Sequence, residues 1–232
     1  MKKILFILPL AVLLLITSCK TEDIKPSSVS GIIVTNAVVG GAAVKISTNA
    51  HDSVLVNASK VFGFDAGGQL RLSVYGSKDP LKLYYNSDLQ TQGGDVYSLF
   101  VHGQFPNGEG FLLKENFATY QESVLGVRFV NLSPTSAPVN VTLSGTPTIN
   151  EFSGVKYKQV SDFKQIAAPL AAVNTSFNFQ VRNSTTNEVL ATYQLTAANL
   201  VSARNHNITL VYRGIVGGTG TSAPGIIFIG HY

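Results

Sequence analysis

The sequence predicts an all-β fold, built as two tandem immunoglobulin-like antiparallel β-sandwich domains that follow a lipoprotein signal peptide. Three observations predict it. Short runs rich in Val, Ile, Phe, Tyr and Thr, broken by Gly, Pro, Asn and Ser, begin at Ser30 and continue along the chain. One strand-like pattern recurs 95 residues later, and an apolar N-terminal run ends at the single cysteine, Cys19.

The first 18 residues have the pattern of a secretion signal. Lys2 and Lys3 precede an apolar run at residues 4–16, which is shorter than the roughly 20 residues needed to span a membrane and fits the core of a signal peptide. Two small residues then precede Cys19. We expect residues 1–18 to be removed as a lipoprotein signal peptide and the Cys19 thiol to carry the lipid. An ordinary cleaved signal followed by an unrelated cysteine is the alternative.

Residues 19–29 are expected to form the lipidated cysteine and a flexible tether, because the stretch is polar and contains proline and serine. Two or three acyl chains, at about 0.8 kcal/mol per buried CH₂, would hold the protein on its membrane. Lys20, Glu22 and Asp23 resemble signals for transfer to the outer face of the outer membrane, although a solvated charged linker would look the same. The expected location is the outer membrane of a Gram-negative bacterium, on the cell surface or on the periplasmic face.

The charge balance argues against nucleic acid as a partner. The chain has 17 Lys and Arg against 13 Asp and Glu, and loss of the two lysines in residues 1–18 lowers the formal net charge from +4 to +2. No cluster of Lys and Arg with interleaved aromatics remains to follow a phosphate backbone. Because Cys19 is the single cysteine, no intrachain disulfide can form, and burial of a core must supply the stability.

Period-two alternation places the strands. On one predicted strand Leu70, Leu72 and Val74 alternate with polar residues, so we expect these three side chains in the core. Helical periodicity is visible only near residues 195–200. The clearest predicted strands are residues 31–36, 43–47, 69–75, 96–102, 124–131, 139–143, 176–181 and 206–212.

An internal repeat divides the chain. Residues 31–37 align without a gap on residues 126–132, and residues 97–103 resemble residues 208–214. A period near 95 residues is too long for a solenoid and suits whole sandwich domains of about 100 residues. We predict a first, divergent domain at residues 30–122 and a second at residues 123–232.

Three segments of the second repeat carry a family resemblance: Val-Arg-Phe-Val-Asn-Leu-Ser-Pro at residues 127–134, Ala-Pro-Val-Asn-Val at 137–141, and Lys-Tyr-Lys-Gln-Val-Ser-Asp-Phe at 156–163. Over residues 124–214 the chain resembles the DUF4397 family of bacterial secreted and lipid-anchored proteins. The first repeat departs from the pattern, since Ala-Val-Val stands at residues 37–39 in place of Leu-Ser-Pro. The resemblance implies an immunoglobulin-like β-sandwich, often in tandem, with no established activity.

The asparagine that ends the first strand of each repeat is expected to be structural. Asn131 precedes Ser133 and Pro134, a turn sequence in which an Asn side chain caps backbone amides. Asn36 is expected to act in the same way in the first repeat. A place for Asn131 in a ligand pocket is the alternative.

No catalytic, cofactor or metal site is predicted. Residues 51–53 read His-Asp-Ser, but neighbours on a strand point to opposite faces and cannot converge as a triad. The nucleophile elbow, the zinc-protease pair and the phosphate-binding glycine loop are all absent from the sequence. The four histidines lack ligand spacing, and the paired glycines are read as turns. The histidines are His51, His102, His206 and His231, and the glycine pairs are Gly67-Gly68, Gly93-Gly94 and Gly217-Gly218.

Two surface features have more than one interpretation. Asp-Ser-Val at residues 52–54 resembles an O-glycosylation pattern that would modify Ser53, and the Asn sequons are discounted as chance matches in an Asn-, Ser- and Thr-rich chain. Tyr84, Tyr85 and Tyr120 are the tyrosines best suited to stacking on a neutral polymer, but packing within the sheets is the favoured interpretation, because Tyr is a common strand residue.

Together these features predict a lipid-anchored cell-envelope protein that acts as a non-enzymatic binding or interaction module. Its expected partners are the membrane, through the N-terminal lipid, and a glycan or an envelope protein. A structural envelope protein and a hydrolase with a loop-built site are the alternatives.

Overall fold

The structure, a computed structural model, describes residues 28–121, 123–169 and 176–232. The predicted signal peptide, Cys19 and most of the predicted tether lie outside the described residues. Within them the chain forms sixteen strands, one α-helix and one 3₁₀ turn. The protein is therefore almost entirely β, as the sequence predicts. No helix in the described ranges has the length and apolarity needed to cross a membrane.

Eight strands form the first repeat and eight the second. Those of the first repeat are β1 (Val29–Asn36), β2 (Val44–Ile46), β3 (Asn49–Val54), β4 (Ala58–Asp65), β5 (Gln69–Gly76), β6 (Asp79–Gln90), β7 (Val96–His102) and β8 (Glu109–Lys114). Those of the second are β9 (Val124–Asn131), β10 (Val139–Leu143), β11 (Thr146–Val155), β12 (Lys164–Ala167), β13 (Phe177–Asn183), β14 (Val189–Leu195), β15 (Asn207–Arg213) and β16 (Gly225–His231). Helix α1 (Ala197–Ala203) and the 3₁₀ turn (Gly220–Ser222) complete the second repeat.

Both repeats have the same topology, a sandwich of two four-stranded sheets. The first repeat has the strand orders β4-β1-β7-β8 and β3-β2-β5-β6, and the second has β12-β9-β15-β16 and β11-β10-β13-β14. The first strand of each repeat pairs in parallel with the seventh. The prediction of antiparallel sheets is corrected at these two pairs. The grouping of strands also differs from a constant-type immunoglobulin domain, in which the first strand shares a sheet with the second, fourth and fifth.

The predicted elements lie where alternation and turn residues place them. All eight strand predictions are confirmed to within two residues, and α1 overlaps the segment with helical periodicity but begins two residues later, because Leu195 ends β14. The paired glycines lie between strands, each pair with one residue at positive φ. Leu72 and Val74 are fully buried, whereas Leu70, the second residue of β5, is half-buried. The division predicted at residues 122–123 falls between β8 and β9 and stays a prediction.

Each sandwich has its own apolar core, and a third cluster joins the two repeats. This junction cluster contains the buried residues Ile33, Ala37, Phe100, Val130, Leu132, Val211, Ile227 and Ile229. They come from the outer faces of the sheets that contain β1 and β9, so each of these sheets is covered on both faces. A sheet buried on both faces needs apolar residues at successive positions. This explains the unbroken runs Ile32-Ile33-Val34 and Leu99-Phe100-Val101.

Candidate functional site

The junction uses equivalent faces of the two repeats. Phe100 and Phe111 are cross-strand partners on β7 and β8, and Val211 and Ile227 are partners at the equivalent places on β15 and β16. All four side chains pack in the junction cluster. In an isologous dimer the same surface patch of each subunit forms the interface, and here the two repeats of a single chain pack in the same way.

A buried ion pair closes one end of the junction. The Arg128 guanidinium on β9 donates two hydrogen bonds to the Glu115 carboxylate, at 2.8 and 2.6 Å, and the two side chains are only 6% and 3% exposed. Its Nε donates to Thr209 Oγ1 at 3.1 Å, and the guanidinium carbon lies 4.6 Å from the centre of the Phe163 ring. Bidentate geometry and these further contacts satisfy a charge that would otherwise be costly to bury.

The segment between the repeats is fixed to the second repeat by further hydrogen bonds. Tyr120 Oη donates to Asn207 Oδ1 at 2.8 Å, and Asn207 Nδ2 donates to the Ala118 carbonyl at 2.8 Å. Phe117 stacks on the His231 ring with 4.4 Å between ring centres. Tyr120 is thus half-buried and hydrogen-bonded, closer to the packed alternative than to an exposed stacking ring.

Two histidines lie in the junction, His102 fully buried and His231 half-buried. His102 Nδ1 is 2.9 Å from Tyr157 Oη, and His231 Nε2 is 2.8 Å from Thr209 Oγ1. Burial lowers the pKa of His102 to about 4, although nearby Glu109 opposes the shift. Burial also lowers the pKa of His231 to about 4, assisted by the charge of Arg128 and opposed by Glu115. Both imidazoles are therefore neutral at pH 7.

Acidification should destabilise the fold through these histidines. Their folded pKa values lie below the ordinary 6.5, so the unfolded chain binds more protons, and stability is complete above pH 6.5 and is lost as pH falls toward 4. We expect the free energy of unfolding to fall by about 1–2 kcal/mol per histidine between pH 7 and pH 5. Urea unfolding at the two pH values measures it. The variants His102→Asn and His231→Gln should reduce the difference, and His51→Asn, at an exposed site, should not. An unchanged difference in the first two variants would contradict this assignment.

At the other end of the junction the loops of both repeats meet. Asn57 Nδ2 donates to the Thr221 carbonyl at 2.9 Å, and Glu109 forms an ion pair with Lys158. We call this end the distal loop surface, because it lies at the end of β1 that is farther from Ser28. At the opposite end of the sandwich, Ser28 is hydrogen-bonded to the loop after β4. Its loops are residues 37–43, 55–57, 77–78, 103–108, 132–138, 156–160, 184–188 and 214–224.

Asn131 is structural, as expected. Its side chain is fully buried, accepts from the Ser133 amide at 3.0 Å, and donates to Ser136 Oγ at 3.1 Å and to the Val155 carbonyl at 3.0 Å. These bonds join the turn after β9 to the end of β11 in the other sheet.

Asn36 repeats this arrangement in the first repeat. Its side chain accepts from the Val38 amide at 3.2 Å and donates to the carbonyls of Ala42 and Val54, at 3.0 and 3.2 Å. The equivalence extends to the acceptor, because Val54 ends β3 as Val155 ends β11. The same side chain therefore ties together the two sheets of each sandwich.

Asn131→Ala should destabilise the protein because it leaves a buried amide and a buried carbonyl without partners. We expect a loss of about 1–3 kcal/mol, measured by urea unfolding. Asn36→Ala should have a similar effect. The matched control is Asn116→Ala, since Asn116 is exposed. A loss within about 0.5 kcal/mol for both buried positions would contradict the structural role.

The other candidate residues are not brought together. His51 is exposed, while Asp52 pairs with Lys60 at 3.0 Å and accepts from Asn49, and Ser53 is half-buried on β3. The hydrogen bond and charge of Lys60 lower the pKa of Asp52. Within the described ranges no group of three or more His, Cys, Asp and Glu side chains is arranged to hold a metal ion. Tyr84 packs in the first core, which is the alternative that the sequence favours for these tyrosines.

The junction residues were missed by the sequence analysis. Arg128 aligns with Ile33 in the repeat, and this replacement of an apolar residue by a charged one is the single signal that could have drawn attention to it. Glu115 lies outside any strand, so no periodicity marks it. Cys19, the predicted lipidation site, lies outside the described residues.

Comparison with known proteins adds no relative. No protein-family model matches the chain, and no curated protein matches it. The DUF4397 resemblance therefore stays a hypothesis, and the function is argued from the structure.

Proposed function

We propose that the protein is a lipid-anchored binding module of the Gram-negative cell envelope, held on the outer membrane through Cys19 and acting without catalysis. In this proposal the distal loop surface contacts a glycan or another envelope protein. The relation to immunoglobulin-like sandwiches and to the DUF4397 family belongs to the same proposal. It is supported by the two-sheet architecture and by the buried asparagine before the turn of each repeat.

The observation that carries the proposal is the position of the distal loop surface. Strand β1 contains eight residues, so its far end lies roughly 25 Å from Val29, where the chain enters the first sandwich. The contacts of Asn57 with Thr221 and of Glu109 with Lys158 bring the loops of both repeats to this same end. Loops at one end of a rigid sandwich are the usual place for binding residues. A tether at the opposite end would present them away from the membrane.

The outer sheet of the second repeat supports a glycan as partner. On its outer face Gln180 and Thr192 are cross-strand neighbours, the first half-buried and the second exposed. Asn178 and Gln194 form the next such pair. These uncharged amides and hydroxyls offer both donors and acceptors to the hydroxyl groups of a sugar.

The anchor is tested in cells with Cys19→Ala. We expect this variant to remain as precursor that incorporates no labelled fatty acid, because the thiol is the attachment point. Normal processing and acylation would refute the anchor. Protease digestion of the wild type on intact cells, with a periplasmic marker as leakage control, then distinguishes the cell surface from the periplasmic face.

Binding is tested with residues 20–232, the mature chain without its lipidated Cys19, on immobilised envelope glycans and purified envelope proteins. Leu55→Ala combined with Val216→Ala changes two exposed apolar residues of the distal loop surface. We expect this double variant to lose binding. Gln92→Ala, which changes an exposed residue at the opposite end of the first sandwich, should retain it. Equal binding by both variants would exclude the distal loops as the contact surface.

A structural role in the envelope is the second candidate. It is favoured by the junction cluster, because a shared apolar core between the repeats suits a spacer of fixed length. A changed envelope in cells that lack the gene, together with wild-type behaviour of the distal loop variant, would favour this role over binding.

A further inference from the structure

A pocket of about 220 Å³ opens in the first-repeat part of the distal loop surface. Its walls come from the loop after β1, the hairpin between β5 and β6, and the loop after β7. Sites that enclose drug-sized ligands usually measure about 300–1,000 Å³, so this one suits a single ring-sized group.

Glycines form part of the pocket wall. Gly40 has φ +70°, and a Cβ added there would meet nothing within 4 Å, so the space beside it is free. Thr135 and Ser136 stand at the positions of Gly40 and Gly41 in the 95-residue alignment. The Ser136 hydroxyl is engaged with Asn131 and Ser133 in the second repeat. The lining of the pocket therefore differs in sequence from the equivalent segment of the second repeat.

The rim of the pocket carries two lysines. Lys78 and Lys82 line it, and neither forms an ion pair with any residue in the described part of the chain. Asp79 Oδ1 accepts from the Leu81 amide at 3.2 Å, which leaves Oδ2 as an acceptor beside them. The local charge is positive, with one carboxylate oxygen available for a hydroxyl donor.

Two aromatic rings complete the site. Phe105 lines the pocket and is 52% exposed, so its ring is accessible to a ligand. Tyr84 also lines the pocket, and burial and Asp79 raise the pKa of its hydroxyl, so it remains a protonated donor at neutral pH.

We propose that this pocket binds an acidic sugar unit, a six-membered ring with a carboxylate, of a glycan partner. The lysines match the carboxylate, Asp79 accepts from the ring hydroxyls, and Phe105 covers the apolar C–H face. A purely aromatic acid matches less well, because it offers no hydroxyl to Asp79. This inference rests on the proposed function and names the class of its ligand.

Saturation-transfer NMR on the mature chain tests the site with glucuronate, glucose and benzoate as probes. We expect glucuronate to bind, glucose to bind at least about tenfold more weakly, and benzoate to compete poorly. Lys82→Met and Phe105→Ala should each weaken glucuronate binding about tenfold. The matched control is Lys114→Met, which removes an exposed lysine at the opposite end of the first sandwich and should leave binding unchanged.

The outcomes separate this inference from the function on which it rests. Equal glucuronate binding by Lys82→Met and Lys114→Met, or preference for benzoate over glucuronate, would overturn the acidic-sugar site. If envelope glycans still bind through the distal loop surface in that case, the proposed function stands and only the ligand class is wrong. Loss of glycan binding in Leu55→Ala with Val216→Ala, with glucuronate binding intact, would support both.

Discussion

Glu115→Ala is expected to lower the free energy of unfolding by about 3–5 kcal/mol. The change removes the carboxylate that receives both guanidinium nitrogens of Arg128 in a site where the arginine side chain is 6% exposed. The positive charge would then be buried with only the Thr209 hydroxyl and the Phe163 ring as partners. Urea unfolding at pH 7 measures the loss.

An exposed pair provides the matched control. Arg71 and Asp88 lie 3.1 Å apart on β5 and β6, with side chains 59% and 48% exposed. Asp88→Ala should cost less than about 1 kcal/mol, because solvent screens the pair and hydrates the remaining arginine. Similar losses for Glu115→Ala and Asp88→Ala would contradict the energetic difference between the two environments.

A double variant distinguishes an unpaired charge from lost packing. Glu115→Leu with Arg128→Met replaces both charges with apolar side chains of comparable length. We expect it to recover most of the stability lost in Glu115→Ala, since a buried ion pair contributes little more than a well-packed apolar pair. No recovery would mean that the hydrogen bond to Thr209 and the ring contact with Phe163 dominate instead.

Phe100→Ala is expected to cost about 3–5 kcal/mol, although Phe100 belongs to the core of neither sandwich. Its ring is fully buried between the repeats and lies 5.3 Å from the ring of Phe111. Truncation leaves a cavity lined by both repeats. The control Leu81→Ala changes a side chain that is 92% exposed and should stay within about 0.5 kcal/mol.

Amide hydrogen exchange shows whether the loss of stability in Phe100→Ala extends to both repeats. If the junction couples the repeats, amides of β15 and β16 should exchange faster in Phe100→Ala, although the substitution lies in β7. The comparison variant is Phe179→Ala, which truncates a fully buried residue of the second sandwich core. Exchange in the second repeat that is unchanged by Phe100→Ala would show that the two sandwiches unfold independently.

The junction also explains a difference between the repeats. Arg128 and Ile33 occupy equivalent positions in the alignment, yet both face the junction. In a symmetric dimer of identical units both positions would carry the same residue. A single chain is free to differ, and here one side has an ion pair with Glu115 while the other stays apolar.

Local sequence determined the secondary structure of this protein. Period-two alternation, as in Leu72 and Val74, and turn residues, as in the Asn131 motif, depend on neighbours in the chain and so can be read directly. The 95-residue repeat correctly indicated two copies of one topology. These signals are local or periodic, and the physical rules that connect them to structure act over a few residues.

Only the tertiary structure decided which faces meet. The runs at Ile32-Ile33-Val34 and Leu99-Phe100-Val101 indicate burial on both sides, but nothing in them names the partner sheet. The Glu115–Arg128 pair, the direction of Tyr84, the parallel pairing of β1 with β7 and the meeting of the distal loops all depend on long-range docking. Side-chain chemistry specifies what a surface can bury, whereas which surfaces come together depends on the geometry of the whole chain.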